Sequence, residues 1–200
     1  MANQIPKSAI KGTANGVLFM AFFGLAWAGI GIGGLDGWGN PWLPIISVSI
    51  SIILFILGLG LFRAANNFPA YTGESNIQRE KKIGIGFGIT VVAEFVLIGA
   101  AGVFLNAIDQ FEYFFPVMAL IVGVHFFPLA YLFQVRAHYI AGILLCLFAI
   151  MTLFWLPPRF IISHFDIDVW SVFIGFTSSI TLWATGMAIW ISGKRLVKNA

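Results

Sequence analysis

Charge is scarce in this chain. Asp, Glu, Lys and Arg make up 10% of its 200 residues, against about 25% in an ordinary soluble domain. Cysteine is scarcer still: Cys146 stands alone, so an intrachain disulfide is excluded and the residue reads as a small apolar packing group. No HExxH, no CxxC and no phosphate loop occurs, which removes the commonest signatures of zinc hydrolysis, dithiol chemistry and nucleotide binding. Of the three histidines, His138 and His164 fall on opposite sides of the arrangement derived below. A histidine metal triad or a haem held by two histidines at one depth is therefore not expected, and neither is any other cofactor.

What fills the chain instead is hydrocarbon, with 60% of residues hydrophobic. Six apolar runs, at 16–34, 43–62, 83–105, 115–133, 139–156 and 169–192, approach or exceed the roughly 20 residues that cross a bilayer as helix. They are continuously apolar rather than alternating, which argues against a β-barrel. The expected fold class is all-α, a single transmembrane domain built as a six-helix bundle. Pro157-Pro158 ends the fifth run, because proline cannot continue a helix. The first run follows Lys7 and Lys11 and contains Ala26-Trp27-Ala28, a pattern shared with secretory leaders. It continues to about Gly34, longer than a leader's apolar region, so it is expected to be a first span that also targets the chain.

The connecting segments set the expected orientation. Lys7 and Lys11, then Arg63, Arg79, Lys81 and Lys82, then Arg136, and finally Lys194, Arg195 and Lys198 all fall on one side. The other side holds Arg159 with Asp36, Asp109, Glu112, Asp166 and Asp168. Basic loops stay cytoplasmic, so both termini are expected inside, in the cytoplasmic (inner) membrane of the cell. The net charge of +3 is accounted for by these flanks, and no nucleic-acid partner is expected. Trp38, Trp42, Tyr113, Trp155 and Trp170 near the outer boundary, with Tyr71, Tyr139 and Trp190 near the inner one, read as interfacial anchors. The loop from Arg63 to Lys82 reads as solvated, although Asn76–Lys82 could form a short interfacial helix. Ile85-Gly86-Phe87 and Ile174-Gly175-Phe176 would correspond in an inverted three-plus-three repeat of the transporter kind. Gly29 with Gly33, and Gly84 with Gly88, make small-xxx-small patterns for close packing or a homo-oligomer.

One stretch breaks the apolar pattern. VVAEFVLIG, residues 91–99, carries Glu94 midway along the third run, about 16 Å from either end. An ionisable side chain at that depth costs on the order of 3 kcal/mol. Desolvation disfavours the carboxylate, so Glu94 is expected to meet a partner or to carry a proton. The fourth run supplies His125, also central, and the short connection 106–114 makes the two helices antiparallel neighbours. If the groups touch they titrate as one coupled pair. Pro128 lacks an N–H and leaves the Val124 carbonyl without its helical donor, an extra acceptor near His125. Thr90, one turn before Glu94, is a candidate partner for it. Ser178, Thr181 and Thr185 on the sixth run, and Ser47, Ser51 and Gly58 on the second, could complete a polar interior. Hydroxyls in membrane helices more often satisfy a backbone carbonyl or a neighbouring helix.

The segment HFFPLAYLF, from His125 to Phe133, resembles a stretch of small uncharacterised six-span bacterial membrane proteins. That resemblance implies a compact helical membrane protein and brings no reaction or substrate with it. From the residues themselves, the leading expectation is a small transporter or permeation protein, proton-linked, with the lipid bilayer and a proton or small solute as its partners. Its site would comprise Glu94, His125, Pro128, Thr90, Ser51 and Thr181. The alternative is a structural or interaction protein in which Glu94 and His125 clasp two helices in register. An intramembrane enzyme using the pair as acid and base is the weakest reading, for want of a nucleophile or metal motif.

Overall fold

The computed structural model describes residues 7–69, 74–162 and 164–198, with side chains described from residue 78 onward in the third helix. Six helices are long and apolar enough to cross a membrane: α1 (Lys7–Gly33), α2 (Trp42–Ala64), α3 (Glu74–Ala107), α4 (Phe114–Phe133), α5 (Arg136–Trp155) and α6 (Val169–Lys198). Each expected run lies in one of them to within one residue at its end. Three helices overrun the apolar stretch that marks them. α1 begins at Lys7, α6 continues to Lys198, and α3 begins at Glu74, so the segment expected as solvated loop is instead helix continuous with the third span. Nothing between Glu74 and Lys82 is a proline or glycine, and Glu, Gln, Lys and Arg are good helix formers that carry the helix past the apolar boundary. At 34 residues α3 is about 51 Å long. Tyr71 lies outside the described residues.

α6 is the centre. It packs against α1, α2, α4 and α5, whereas among the described residues α3 packs along α4 and touches α1 only through one aromatic pair. In the most apolar window of α6, 56% of residues are buried; in that of α3, 0% are. Glycine sets the closest seams. A Cβ on Gly175 would lie 2.5 Å from Gly31 Cα, so α1 and α6 meet backbone to backbone. A Cβ on Gly142 would lie 2.8 Å from the carbonyl oxygen of Gly123, joining α4 to α5 the same way, with Cys146 packed over Gly123. The indole of Trp183 lies over Gly24 and donates its N–H to Ser51 Oγ at 3.0 Å, tying α6 across α1 to α2.

The glycines singled out from the sequence are not these. Gly29, Gly33, Gly84 and Gly88 have open space where a Cβ would go, so they do not mediate packing within the chain. The two matched tripeptides also differ in place: Gly86 receives the Leu132 side chain from α4, while Gly175 touches the backbone of α1. With α6 central and α3 peripheral, the halves do not pack as an inverted repeat.

Between α5 and α6 the chain forms an element the apolar runs did not announce. Strands β1 (Arg159–Ile162) and β2 (Phe165–Asp168) pair antiparallel, with Arg159 opposite Asp168 and Ile162 opposite Phe165. Asp168 ends the hairpin and caps α6: its carboxylate accepts the Ser171 N–H at 3.1 Å and the Ser171 hydroxyl at 2.6 Å, the usual way a helix start satisfies a free donor. Trp38, Trp42 and Trp155 are more than half exposed, as anchors require. Trp170 is not an anchor. It is 5% exposed, and its indole donates to the Leu156 carbonyl at 3.0 Å while its ring packs edge-on to Tyr113.

Candidate functional site

The inward face of α3 is a single seam. Phe87, Val91, Glu94, Ile98, Ala101 and Leu105 run along it, half-buried or buried and spaced alternately four and three apart, with Ile83, Gly86, Thr90 and Gly102 half-buried beside them. That spacing keeps one stripe against a neighbouring helix, and the neighbour is α4. Gly86 admits Leu132 near one end of the seam, and Gly102 admits the Phe114 ring near the other. These small residues let the helices approach closely on either side of Glu94.

At the middle of the seam Glu94 meets His125. Oε2 of the glutamate lies 3.3 Å from Nδ1 of the imidazole, and the two side chains are 16% and 10% exposed. The distance is that of an ion pair. The alignment is not that of a hydrogen bond, since Nδ1 is buried with no bonded partner. The contact is an ion pair only where the imidazole is protonated and the carboxyl is not, so its strength depends on the charge of both groups. The His125 ring also stands edge-on to Phe126 at 6.0 Å, and Phe126 packs in turn on His138, 5.6 Å between centroids. His138 is itself 5% exposed with Nδ1 unpartnered, a buried imidazole that the sequence marked only as a histidine near the inner boundary.

Of the remaining expected members Thr90 reaches the pair, by its backbone carbonyl on His125 and not by its side chain. The Thr90 hydroxyl donates to the Gly86 carbonyl at 2.8 Å, one turn back on its own helix, and not to Glu94. Pro128 interrupts α4 without ending it, and it lies with Val124 on the exposed face of that helix. Ser51 is buried on α2 as the acceptor for Trp183, and Thr181 is buried on α6, donating to the Thr177 carbonyl at 2.7 Å. Thr185 repeats the pattern onto Thr181, and Ser178 Oγ is buried without a partner. The hydroxyls of α2 and α6 therefore form part of the α1–α2–α6 core, away from α3. A depression of about 340 Å³ occurs elsewhere, lined by Ile30, Asp36, Phe115, Asp166, Asp168 and Ser171 among others, where α1 ends and α6 begins.

Two ionisable side chains thus meet between two helices, one of which, among the described residues, has only a single aromatic contact with another long helix. Comparison of the chain with protein-family models, with curated proteins and with solved structures finds no match. The resemblance carried by His125 to Phe133 gains no relative from it. The class supported by the fold is that of a multi-pass helical membrane protein, and the geometry alone bears on anything finer.

Proposed function

We propose that this chain is a small integral protein of the cytoplasmic (inner) membrane, with both termini inside, that moves protons or a small solute coupled to protons. Glu94 and His125 are its protonatable joint. The observation that supports this reading is the 3.3 Å contact between the two at mid-helix. Ionisable groups at such depth are expensive and are usually retained where a proton or ion passes. Because α3, among the described residues, packs on α4 and otherwise only touches α1 through Phe87, a change of charge at the joint acts on the least constrained helix of the bundle. Doubly neutral and ion-paired forms hold the helices together; a form with one net charge is left uncompensated in an apolar seam. Thr90 meets the joint through its backbone, which His125 bonds, Pro128 flanks it on the exposed face of α4, and Ser51 and Thr181 fall outside it.

A second reading is favoured by a specific observation. No hydroxyl from α2 or α6 reaches the pair, and α3 has few other attachments, which suits a static clasp in a structural protein. The two readings separate in one experiment. Purified protein is reconstituted in vesicles loaded with a pH-sensitive dye, and proton flux is followed after a pH jump. Under the transport reading the wild type conducts above empty vesicles, and Glu94→Gln abolishes that flux while circular dichroism and elution volume are unchanged. Absence of wild-type flux over a range of gradients and potentials, with Glu94→Gln lowering only the melting temperature, overturns transport in favour of the clasp.

A further inference from the structure

The β1–β2 hairpin is sorted by face. Its register puts Phe160, Ile162, Phe165 and Ile167 on one side and Arg159, Ile161, Asp166 and Asp168 on the other. The second side is polar apart from Ile161. Arg159 pairs with Asp166 at 3.0 Å across that face, and Asp168 caps α6. The outward N–H groups of β2 are also used: Asp166 donates to Asp36 Oδ2 at 3.3 Å and Asp168 to the Gly34 carbonyl at 2.9 Å. The end of α1 and the turn after it thereby cover that edge and fix the hairpin's orientation. The first side is left uncovered at its leading positions. Phe160 is 56% exposed and Ile162 51%.

A two-stranded ribbon is marginal in water, and one with an open apolar face more so. The β1–β2 hairpin, however, joins the ends of two helices long enough to span a bilayer, on the side opposite the termini. Phe154 and Trp155, at the adjoining end of α5, are 76% and 72% exposed, so a lipid-facing apolar belt reaches the hairpin's root.

We propose that the β1–β2 hairpin is a lipid-contact element, its Phe160–Ile162–Phe165–Ile167 face lying in the headgroup–acyl boundary of the membrane surface opposite the termini. The depth follows from the backbone. The outer edge of β1 has no strand beside it, and an open sheet edge is not tolerated in the hydrocarbon core. At the boundary the edge stays hydrated while the apolar face is covered, as for an amphipathic helix lying in the plane of the membrane. A second copy of the chain is the weaker occupant, because four side chains offer little of the roughly 800 Å² per partner that a stable interface buries.

The inference rests on reading the six helices as membrane spans, and the test separates the two. Single cysteines replace Phe160, Ile162, Ile161 and, on the exposed face of α3, Val96, each in a Cys146→Ala background. Each is labelled with an environment-sensitive nitrobenzoxadiazole fluorophore and reconstituted in phosphatidylcholine vesicles. Quenching is compared between a nitroxide carried high on the lipid acyl chain and iodide present on both sides. The expected result is blue-shifted emission at 160 and 162, with lipid quenching several-fold stronger than at 161, and iodide quenching dominant at 161. Equal iodide quenching at 160, 161 and 162, with Val96 still shielded from iodide, overturns the lipid contact and leaves the spans standing. Positions 160 and 162 shielded from both quenchers overturn it in favour of a second copy. Iodide access at Val96 overturns the spans themselves.

Discussion

The α1–α6 and α3–α4 seams both join long apolar helices, and they do so by different physics. Along α1 and α6, glycine removes the side chains, and the backbones of Gly31 and Gly175 touch. The gain is dispersion over a long, close-packed contact, which has no charge to titrate and no tolerance for added volume. Along α3 and α4 the approach is looser. Gly86 and Gly102 admit one side chain each, and the middle is occupied by Glu94 and His125 at 3.3 Å. Here the contact depends on the protonation of two groups, and most of the circumference of α3 is left to whatever surrounds the protein. Ile89, Val92, Phe95, Val96, Val103 and Phe104 are each 60% exposed or more. One seam is made of shape alone, and the other holds two ionisable groups at its centre.

The comparison is broken most severely by adding volume to the first seam. Gly175→Val drives side-chain atoms into the backbone of α1, which cannot rotate away. The expected cost is about 3 kcal/mol, read as a large drop in the detergent melting temperature or as loss of monodisperse protein. Charge at the second seam ranks next. Glu94→Leu removes the group that His125 meets at 3.3 Å, and loss of a buried polar contact of this kind costs about 1 kcal/mol. The same melting experiment should place it below Gly175→Val, with α3 lost first in hydrogen–deuterium exchange. Simultaneous loss across all six helices would contradict the separateness of α3. The smallest effect is expected at the open face of α3. Gly88→Ala meets nothing within 4 Å and should raise stability by about 0.5–1 kcal/mol, the ordinary helix preference for alanine. A destabilisation there would mean that the glycine is covered in the membrane by something other than lipid.

The pair itself was legible. A glutamate and a histidine central to adjacent apolar runs, joined by a short connection, had to share a depth. Their rotation about the helix axes was not legible, because it depends on which stripe of α3 is inward, and α3 is apolar nearly all round. The polar interior expected around the pair was not formed. Ser51, Thr181 and Thr185 bond locally or to Trp183, as hydroxyls in apolar surroundings generally do. The hairpin left a signal that hydropathy averaging hides. After Pro157-Pro158, Phe165-Asp166-Ile167-Asp168 alternates with strand spacing, and Phe160-Ile161-Ile162 is a short aromatic and β-branched run, which is strand composition.

By itself the sequence determined the six apolar helices, their order and the place of their apolar stretches, because the length and polarity of each run depend on no other part of the chain. It also determined that an acid and an imidazole lie mid-helix on neighbouring spans. Only the tertiary structure decided that α6 is central and α3 peripheral, which glycines carry backbone contact and which face open space, and that the two ionisable groups turn toward each other. Those outcomes depend on the rotation and pairing of helices that are apolar on every side, and a hydrophobic pattern with no polar face to orient it cannot fix them.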